Sequence, residues 1–538
     1  MNSVGMIGRP RQRRALCISP RYAPSFGTFT RAYPIMGAKA FMPPLGILVI
    51  ASYLPSSWEV RFIDENIREV SDAELRWAEV VLLSGMHVQR QEIGRLVARA
   101  KAAGRTTVLG GASASGAPDW YPQIDYLHIG ELGDATDRLI ATLEADPAPP
   151  RRQVRFETTV RRDLDAFPTP AWQHIRTKDY FIAALQYSSG CPYRCEFCDI
   201  PALYGRVPRL KRPEQVLAEL DALLERGVPG AVYFVDDNFV GNRKAARDLL
   251  PHLIDWQRRN GFPLQFACEA TLNLARDDDL LALMREAFFC TVFCGIETPE
   301  PAALAAIAKE HNLAVPMLDA VAKCNSYGIE VVAGIILGFD TDGPKTVDAL
   351  IEFAERSHIP MLTVNLLEAL PRTPLWHRLA ADDRIDDAPG RESNVVFLRP
   401  YEEVLAGWRR AFGTLYRPEA LWDRLAWNAA NTYPNRITPP MGGPHRSWRD
   451  LGFFLRLVVN LFVRVGLLAP WRREFWRHAW PLIRRGLVRE GLHMAMLAHH
   501  LIGYANDAAS GRAAAAFYAA GARPEEPAKR TASDASMA

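Results

Sequence analysis

Cys191, Cys195 and Cys198 stand at C-x3-C-x2-C spacing, directly after Ser188-Ser189-Gly190. That spacing narrows what the chain can hold. A structural zinc site takes four ligands, usually as two C-x2-C knuckles or with histidines. Three thiols in one short loop suit a cubane iron–sulfur cluster whose fourth iron stays open to another ligand. The plainer alternatives are a loop of ordinary thiols or an incomplete zinc knuckle. The other cysteines, Cys17, Cys268, Cys290, Cys294 and Cys324, lie in apolar runs and read as buried thiols. Eight cysteines in 538 residues are therefore no disulfide framework. A cluster-bearing chain of this kind belongs in a reducing cytoplasm.

The length allows two or three domains, each with its own core. A hydrophobic content of 49% with 23% charged residues is that of an ordinary globular protein. Arg9, Arg11, Arg13 and Arg14 precede an apolar run only one strand long, which does not make a signal peptide. Residues 14–145 alternate strand and helix, with strands expected at 15–19, 60–64, 80–84, 107–110 and 126–129. Such short, unalternating apolar strands imply a parallel sheet covered on both faces, hence a doubly wound α/β domain. Asp146-Pro-Ala-Pro-Pro150 marks a linker, and residues 146–185 read as a bridge. A second strand–helix series occupies 186–385 and starts with the cysteine loop. Residues 400–509 read as helical, and 510–538 as a disordered tail.

The triplet and its context resemble the radical S-adenosylmethionine (SAM) superfamily, in which SAM chelates the fourth iron of a [4Fe–4S] cluster. Further stretches carry the resemblance: Tyr233-Phe-Val-Asp236-Asp237-Asn238, Phe293-Cys-Gly-Ile-Glu297-Thr298-Pro299, Gly334-Ile-Ile-Leu-Gly338 and Leu370-Pro-Arg-Thr-Pro-Leu-Trp376. It implies a partial (β/α)6 barrel with its site at the carboxyl ends of the strands. It also implies Cys191, Cys195 and Cys198 as the cluster ligands and Phe197 as an aromatic stacked on adenine. Asp236 and Asp237 would accept from SAM's ammonium. Glu269, Glu297, Thr298 and Gly338 would line the rest of the SAM site. For the two aspartates, the ordinary alternative is a charged strand-to-helix loop with a capping side chain.

The first domain resembles the cobalamin-binding domain that precedes many radical SAM domains. The motifs are Pro43-Pro-Leu45-Gly46, Asp64-Glu-Asn66, Ser84-Gly85-Met86 and Gly110-Gly111. All of them are implied cobalamin contacts, Leu45, Gly46, Asp64, Ser84, Gly85, Met86, Gly110 and Gly111 foremost. Glycines there let backbone approach a ligand closely. The Asp-x-His-x-x-Gly motif that ligates cobalt in many such domains is missing, since Asn66 stands where its histidine would be. The resemblance thus implies base-off cobalamin without that ligand. His87 could approach the lower face, although a lone loop histidine is more often exposed or a helix cap. A methylthiotransferase reading fails, because those chains carry three further N-terminal cysteines and this domain has only Cys17.

Arg456, Asn460 and Arg464 recur every four residues within an apolar run, giving one polar stripe on a helix over about 451–465. Two mid-span arginines oppose a membrane-spanning reading and suit an interfacial one. Trp471, Trp476 and Trp480 follow among arginines, as at a membrane surface. A helical domain packed on the barrel is the plain alternative. Nucleic-acid binding is disfavoured by the width of the apolar face.

Among cobalamin-dependent radical SAM enzymes with a helical extension, the chain resembles most the hopanoid C-2 methylase family. That implies methylation of an unactivated carbon, C-2 of the hopanoid A-ring, with a [4Fe–4S] cluster, SAM and methylcobalamin as cofactors. It also implies a lipid-like substrate and an electron donor such as a flavodoxin, a ferredoxin or a reductase. Location is expected in the cytoplasm, at the inner face of the membrane. A bacteriochlorophyll precursor is the alternative substrate. A cobalamin-binding sensor is a third class, which the intact triplet opposes.

Overall fold

In β1 (Arg14–Ser19) Ala15 and Cys17 face one hydrophobic core, and Leu16 and Ile18 face another. This is why the strand does not alternate with polar residues: both faces of its sheet are buried. The computed structural model describes residues 12–228, 230–388, 390–438 and 448–514. The expected tail therefore lies outside the described residues from 515 onward, as do Arg9 and Arg11.

The first sheet is parallel throughout. It adds β2 (Glu59–Asp64), β3 (Val80–Ser84), β4 (Thr106–Gly110), β5 (Tyr126–Ile129) and β6 (Val154–Glu157) in the order β2-β1-β3-β4-β5-β6. Strand order reverses between β1 and β3, which puts the ligand crevice of a doubly wound sheet at their carboxyl ends. The second sheet holds β7 (Ala183–Leu185). A small antiparallel pair follows, β8 (Ser188–Ser189) with β9 (Arg209–Leu210). The second sheet continues with β10 (Ala231–Phe234), β11 (Gln265–Glu269), β12 (Phe289–Glu297), β13 (Glu330–Leu337) and β14 (Leu362–Leu366). Its six strands, β7 and β10 to β14, are parallel neighbours in chain order, as a partial (β/α)6 barrel requires. Cys17, Cys268, Cys290, Cys294 and Cys324 are all buried, as read.

The bridge is more ordered than its prolines suggest. Its residues supply both β6, at the edge of the first sheet, and β7, which opens the second. β6 is mostly exposed and short, so its sequence carries no strong strand signal.

Helices of the third region cover the last barrel strand. Trp408 Nε1 donates to the Val364 carbonyl at 2.7 Å, and the Leu362 amide donates to Tyr416 Oη at 2.8 Å. An open edge beside β14 is thereby closed. The same helices reach back to the first domain, where Phe26 packs against Phe412, Tyr416 and Tyr504.

The expected amphipathic helix differs in detail. Helix Trp448–Leu461 gives way to a π-turn at Phe462–Leu467. The three polar residues do not share one fate. Asn460 turns inward and donates to the Ile35 carbonyl at 3.1 Å, while Arg456 and Arg464 are exposed. Trp476 is likewise committed to packing, with Nε1 on the Gly466 carbonyl at 2.9 Å, and Trp480 alone of the three tryptophans is exposed. Among the described residues no helix is long and apolar enough to cross a membrane.

Candidate functional site: a cysteine loop between two parallel sheets

The β8–β9 hairpin carries the three cysteines in its loop. Gly190 opens that loop at φ 101°, and a Cβ there would lie 3.0 Å from the Gly205 carbonyl, so the loop closes on itself only with glycine. Its pins come from several strand ends. The Gly190 amide donates to Asp237 Oδ2 at 2.6 Å, and the Glu196 amide to the Ile307 carbonyl at 3.0 Å. Tyr193 stacks on His311 at 3.8 Å and accepts from Asn273 Nδ2 at 2.8 Å. Arg378 ties Glu196 to Asp340. Cys195 is buried, and Cys191 and Cys198 are half-buried. Burial pushes all three thiols up in pKa, Cys198 furthest. Among the described residues no three His, Cys, Asp or Glu side chains gather around a single-ion site. A cubane asks for something else, one thiolate at each of three separate irons. The donor set, three soft thiols on one anchored loop beside the cation Lys309, fits a cluster.

The expected SAM residues converge on the same end of the barrel. Asp236 Oδ1 accepts from the amides of Tyr187 and Ser188, while its Oδ2 is buried without a hydrogen-bond partner. Asn238 Oδ1 is orphaned in the same way, and its Nδ2 lies 4.0 Å from Cys191 Sγ. Two buried acceptors lacking donors beside the cysteine loop fit an ammonium-bearing ligand such as SAM. Glu269 accepts from the Tyr233 hydroxyl at 2.8 Å. Glu297, at φ 65°, is ion-paired with Lys309, and Thr298 Oγ1 takes the Glu300 amide at 3.2 Å. Phe197 lies 6.5 Å from Phe339, and Gly338, at φ 106°, leaves room for the Phe397 ring.

Burial pushes Asp236 up to about 7 and Asp237 up to about 6. A raised carboxyl pKa favours the folded chain at low pH, and that contribution is lost as pH rises through about 7. Ligand binding should run the other way. Protonated Asp236 has lost the charge that draws an ammonium. SAM affinity, measured by calorimetry, is therefore expected to rise by up to about tenfold per pH unit below the Asp236 pKa and then level off. Asp236→Asn should flatten that profile; an unchanged slope would remove Asp236 from the ammonium site.

The cobalamin motifs meet at the switch point of the first sheet. Gly111, at φ 89°, comes so close that a Cβ would lie 2.7 Å from Ser84 Oγ and 3.1 Å from the Gly85 amide. Gly46 faces the same serine across 3.7 Å from its ideal Cβ. The Met86 amide donates to Gln89 Oε1 at 2.9 Å. Gly46 and Gly111 thus bring bare backbone up to the Ser84–Gly85 turn, a glycine cradle at the strand ends that fits a broad, flat ligand. Asp64 holds Asn66 through the Asn66 amide at 2.9 Å and accepts from the Tyr180 hydroxyl at 3.0 Å. Asn66 is itself engaged with the Tyr22 amide at 2.8 Å. His87 is neither exposed nor a side-chain cap. It is buried, with Nδ1 3.1 Å from Ser113 Oγ and Nε2 4.0 Å from Asp199, the residue after Cys198. Burial takes its pKa down to about 4, so it is neutral near pH 7.

Several residues escaped the sequence reading. Lys309 and Tyr233 pair with two of the expected SAM carboxylates. Glu131 accepts from Arg209 and from Ser189 Oγ, binding the hairpin to the first domain. Glu368, beyond β14, is pushed up to about 8 by burial. Nothing in local periodicity marks them. Only the alternation of β10, which turns Tyr233 away from Phe234, could have suggested one.

Two parallel sheets with a cysteine-triplet loop between them define the class, a cobalamin-dependent radical SAM methyltransferase. The B12 binding domain family matches residues 36–140, the Radical SAM superfamily residues 185–354, and a domain of unknown function, DUF4070, residues 373–514. The hopanoid C-2 methylase of Rhodopseudomonas palustris is 52% identical over 94% of this chain and 96% of its own. An uncharacterized methyltransferase of Synechocystis is 35% identical, over 90% of each chain. The cobalamin-dependent SAM radical enzyme OxsB, solved with aqua-cobalamin and SAM bound, shares the fold at a TM-score of 0.57 and 16% identity, over 92% of this chain and 79% of that one. The chain belongs to the hopanoid C-2 methylase family of cobalamin-dependent radical SAM methyltransferases.

Proposed function

We propose that this enzyme methylates C-2 of the A-ring of a hopanoid. The observation that carries the reading is identity along nearly the whole chain to a hopanoid C-2 methylase, C-terminal region included. When bound, the cluster and SAM supply hydrogen-atom abstraction and cobalamin supplies the methyl group. The chain's own part is placement. Cys191, Cys195 and Cys198 would hold the cluster, and Asp236 and Asn238 would take the SAM ammonium. The Ser84–Met86 turn with Gly46, Gly110 and Gly111 would seat cobalamin. Glu131 takes Ser189 and Arg209 of the hairpin, and Arg161 ties Glu131 to the Leu203 and Tyr204 carbonyls, so the cysteine loop is fixed against the first domain. A ring carbon without polar neighbours offers no handle, so orientation must come from apolar contact. Deleting the gene in a hopanoid-producing host is expected to remove 2-methylhopanoids and keep the unmethylated ones. Persistence of the 2-methyl species in a host with no second copy, with loss of a tetrapyrrole methylation, would favour the bacteriochlorophyll-type substrate.

Such a substrate resides in lipid, and the third region offers a surface for it. Phe454, Leu455, Val459, Phe462, Leu467 and Leu468 are exposed together across the helix and its π-turn, Leu468 at 71%. Arg456 and Arg464 are exposed on the same stretch, and Arg472, Arg473, Arg484 and Arg485 are exposed at the two ends of the helix that follows, Arg472–Arg484. Apolar side chains rimmed by arginines suit shallow insertion into an anionic leaflet. The inward turn of Asn460 is what frees the apolar face for solvent. Liposome co-sedimentation should increase with anionic lipid and fall with salt. Arg456→Glu with Arg464→Glu should weaken it by about tenfold or more, at about 1 kcal/mol per charge removed, and Leu468→Asp should weaken it at every salt concentration. Pelleting that none of these changes alter would exclude this surface. An electron donor of low potential, of the flavodoxin, ferredoxin or reductase kind, completes the proposed partners.

A further inference from the structure

Lys309 is a buried cation without a part in the placement just described. Its exposure is 6%, and its ammonium lies 5.5 Å above the ring of Phe197, the residue between Cys195 and Cys198. The local backbone is strained to put it there. Ala308, just before it, sits in the left-handed region at φ 55°, and its partner Glu297 does so at φ 65°. Neither is glycine, so each carries a steric strain that glycine would not. Gly295 admits the pair only because it has no side chain: a Cβ would lie 2.7 Å from Lys309 Nζ and 2.4 Å from Glu297 Oε1. Asn312 Nδ2 holds the Gly295 carbonyl at 2.9 Å, and the cluster loop is hydrogen-bonded to Ile307, two residues before the lysine. Strain gathered around one charge, beside a loop bearing three thiols, points to work done by that charge.

We propose that Lys309 is a positioning residue for the redox step, a fixed cation that favours the reduced cluster, with Glu297 set against it to hold the balance. The step adds one electron from a low-potential donor to the cluster, and no bond forms or breaks. Three thiolate ligands already make the cluster site anionic, and reduction adds a further negative charge. A cation held in low dielectric stabilises the more negative state more than the less negative one. An anion at the same distance does the reverse. Against burial, which lowers it, the ion pair with Glu297 keeps Lys309 charged. Left unpaired, a buried ammonium would be costly, so Glu297 also keeps it in place.

This inference rests on the cluster assignment, whose failure would appear as missing iron and not as a displaced potential. The experiment is a potentiometric titration of the anaerobically reconstituted protein, followed by paramagnetic resonance of the reduced cluster. Lys309→Met is expected to make the cluster harder to reduce, Glu297→Gln to make it easier, and Lys309→Arg to keep the wild-type potential. A role confined to packing would not give opposite signs. Unchanged potentials, or shifts of the same sign, overturn the proposal. If Lys309→Met takes up no cluster, Glu297→Gln decides alone: easier reduction supports the inference, and no change or harder reduction defeats it.

Discussion

Replacing Cys191, Cys195 and Cys198 together by alanine is expected to yield a folded chain that binds no iron and cleaves no SAM. The fold should survive because the loop is anchored by groups other than its thiols. Gly190 is held by Asp237, Glu196 by Ile307 and Arg378, and Tyr193 by His311 and Asn273. Each hydrogen bond contributes about 1 kcal/mol net, against the small loss from truncating three partly buried thiols. The cluster should not survive, because no other thiol reaches it. Cys268, Cys290, Cys294 and Cys324 are fully buried within the barrel and Cys17 within the first sheet. Cys268→Ala and Cys324→Ala should therefore keep full iron and sulfide content and the wild-type absorption spectrum. A triple variant that retained a complete [4Fe–4S] cluster would falsify the assignment.

What sequence could show depended on how local the signal was. The β1, β3 and β5 strands were legible because each is a short apolar run, buried on both faces. The cysteine triplet was legible because its spacing is itself the chemistry. β6 and β7 were not, since one is mostly exposed and the other has three small or apolar residues inside a stretch dense in proline and aromatic residues. The stripe of Arg456, Asn460 and Arg464 was real as spacing. Its meaning changed in the fold, because Asn460 found a carbonyl at Ile35, more than four hundred positions away. The same holds for the site. Asp236, Asp237 and Glu269 lie at strand ends where the pattern put them. Their partners Tyr187, Gly190 and Tyr233 emerge only from the way β7, the hairpin and β10 come together. Lys309 follows a short alanine-rich helix, and its role depends on a left-handed residue that no propensity scale would predict.

Gly111→Val is expected to cost the protein its cobalamin while leaving its iron and sulfide in place. The residue caps the helix Ala112–Gly116 from the left-handed region, at φ 89°. An L-residue pays about 1–2 kcal/mol there, and a β-branched one more. Space is the larger obstacle. The new Cβ would lie 2.7 Å from Ser84 Oγ and 3.1 Å from both the Gly85 amide nitrogen and carbonyl oxygen, so the turn itself must move. That Gly85 carbonyl accepts the Ser113 amide at 3.0 Å, so displacing it also disturbs the helix that Gly111 begins. Together these effects should destabilise the first domain by about 2–4 kcal/mol and push backbone into the space proposed for the corrin ring. Although Glu131 ties the hairpin to the first domain, Asp237, Ile307 and Arg378 pin the cysteine loop from within the barrel, so cluster content serves as the internal control. Gly94→Ala, in the same domain but with nothing within 4 Å of its Cβ, should bind cobalamin as the parent does. Cobalt and iron measured on the same reconstituted samples decide the matter. A Gly111→Val protein that still bound one cobalamin would place the ligand away from the β1–β3 switch point, and the glycine cradle would then be a packing feature alone.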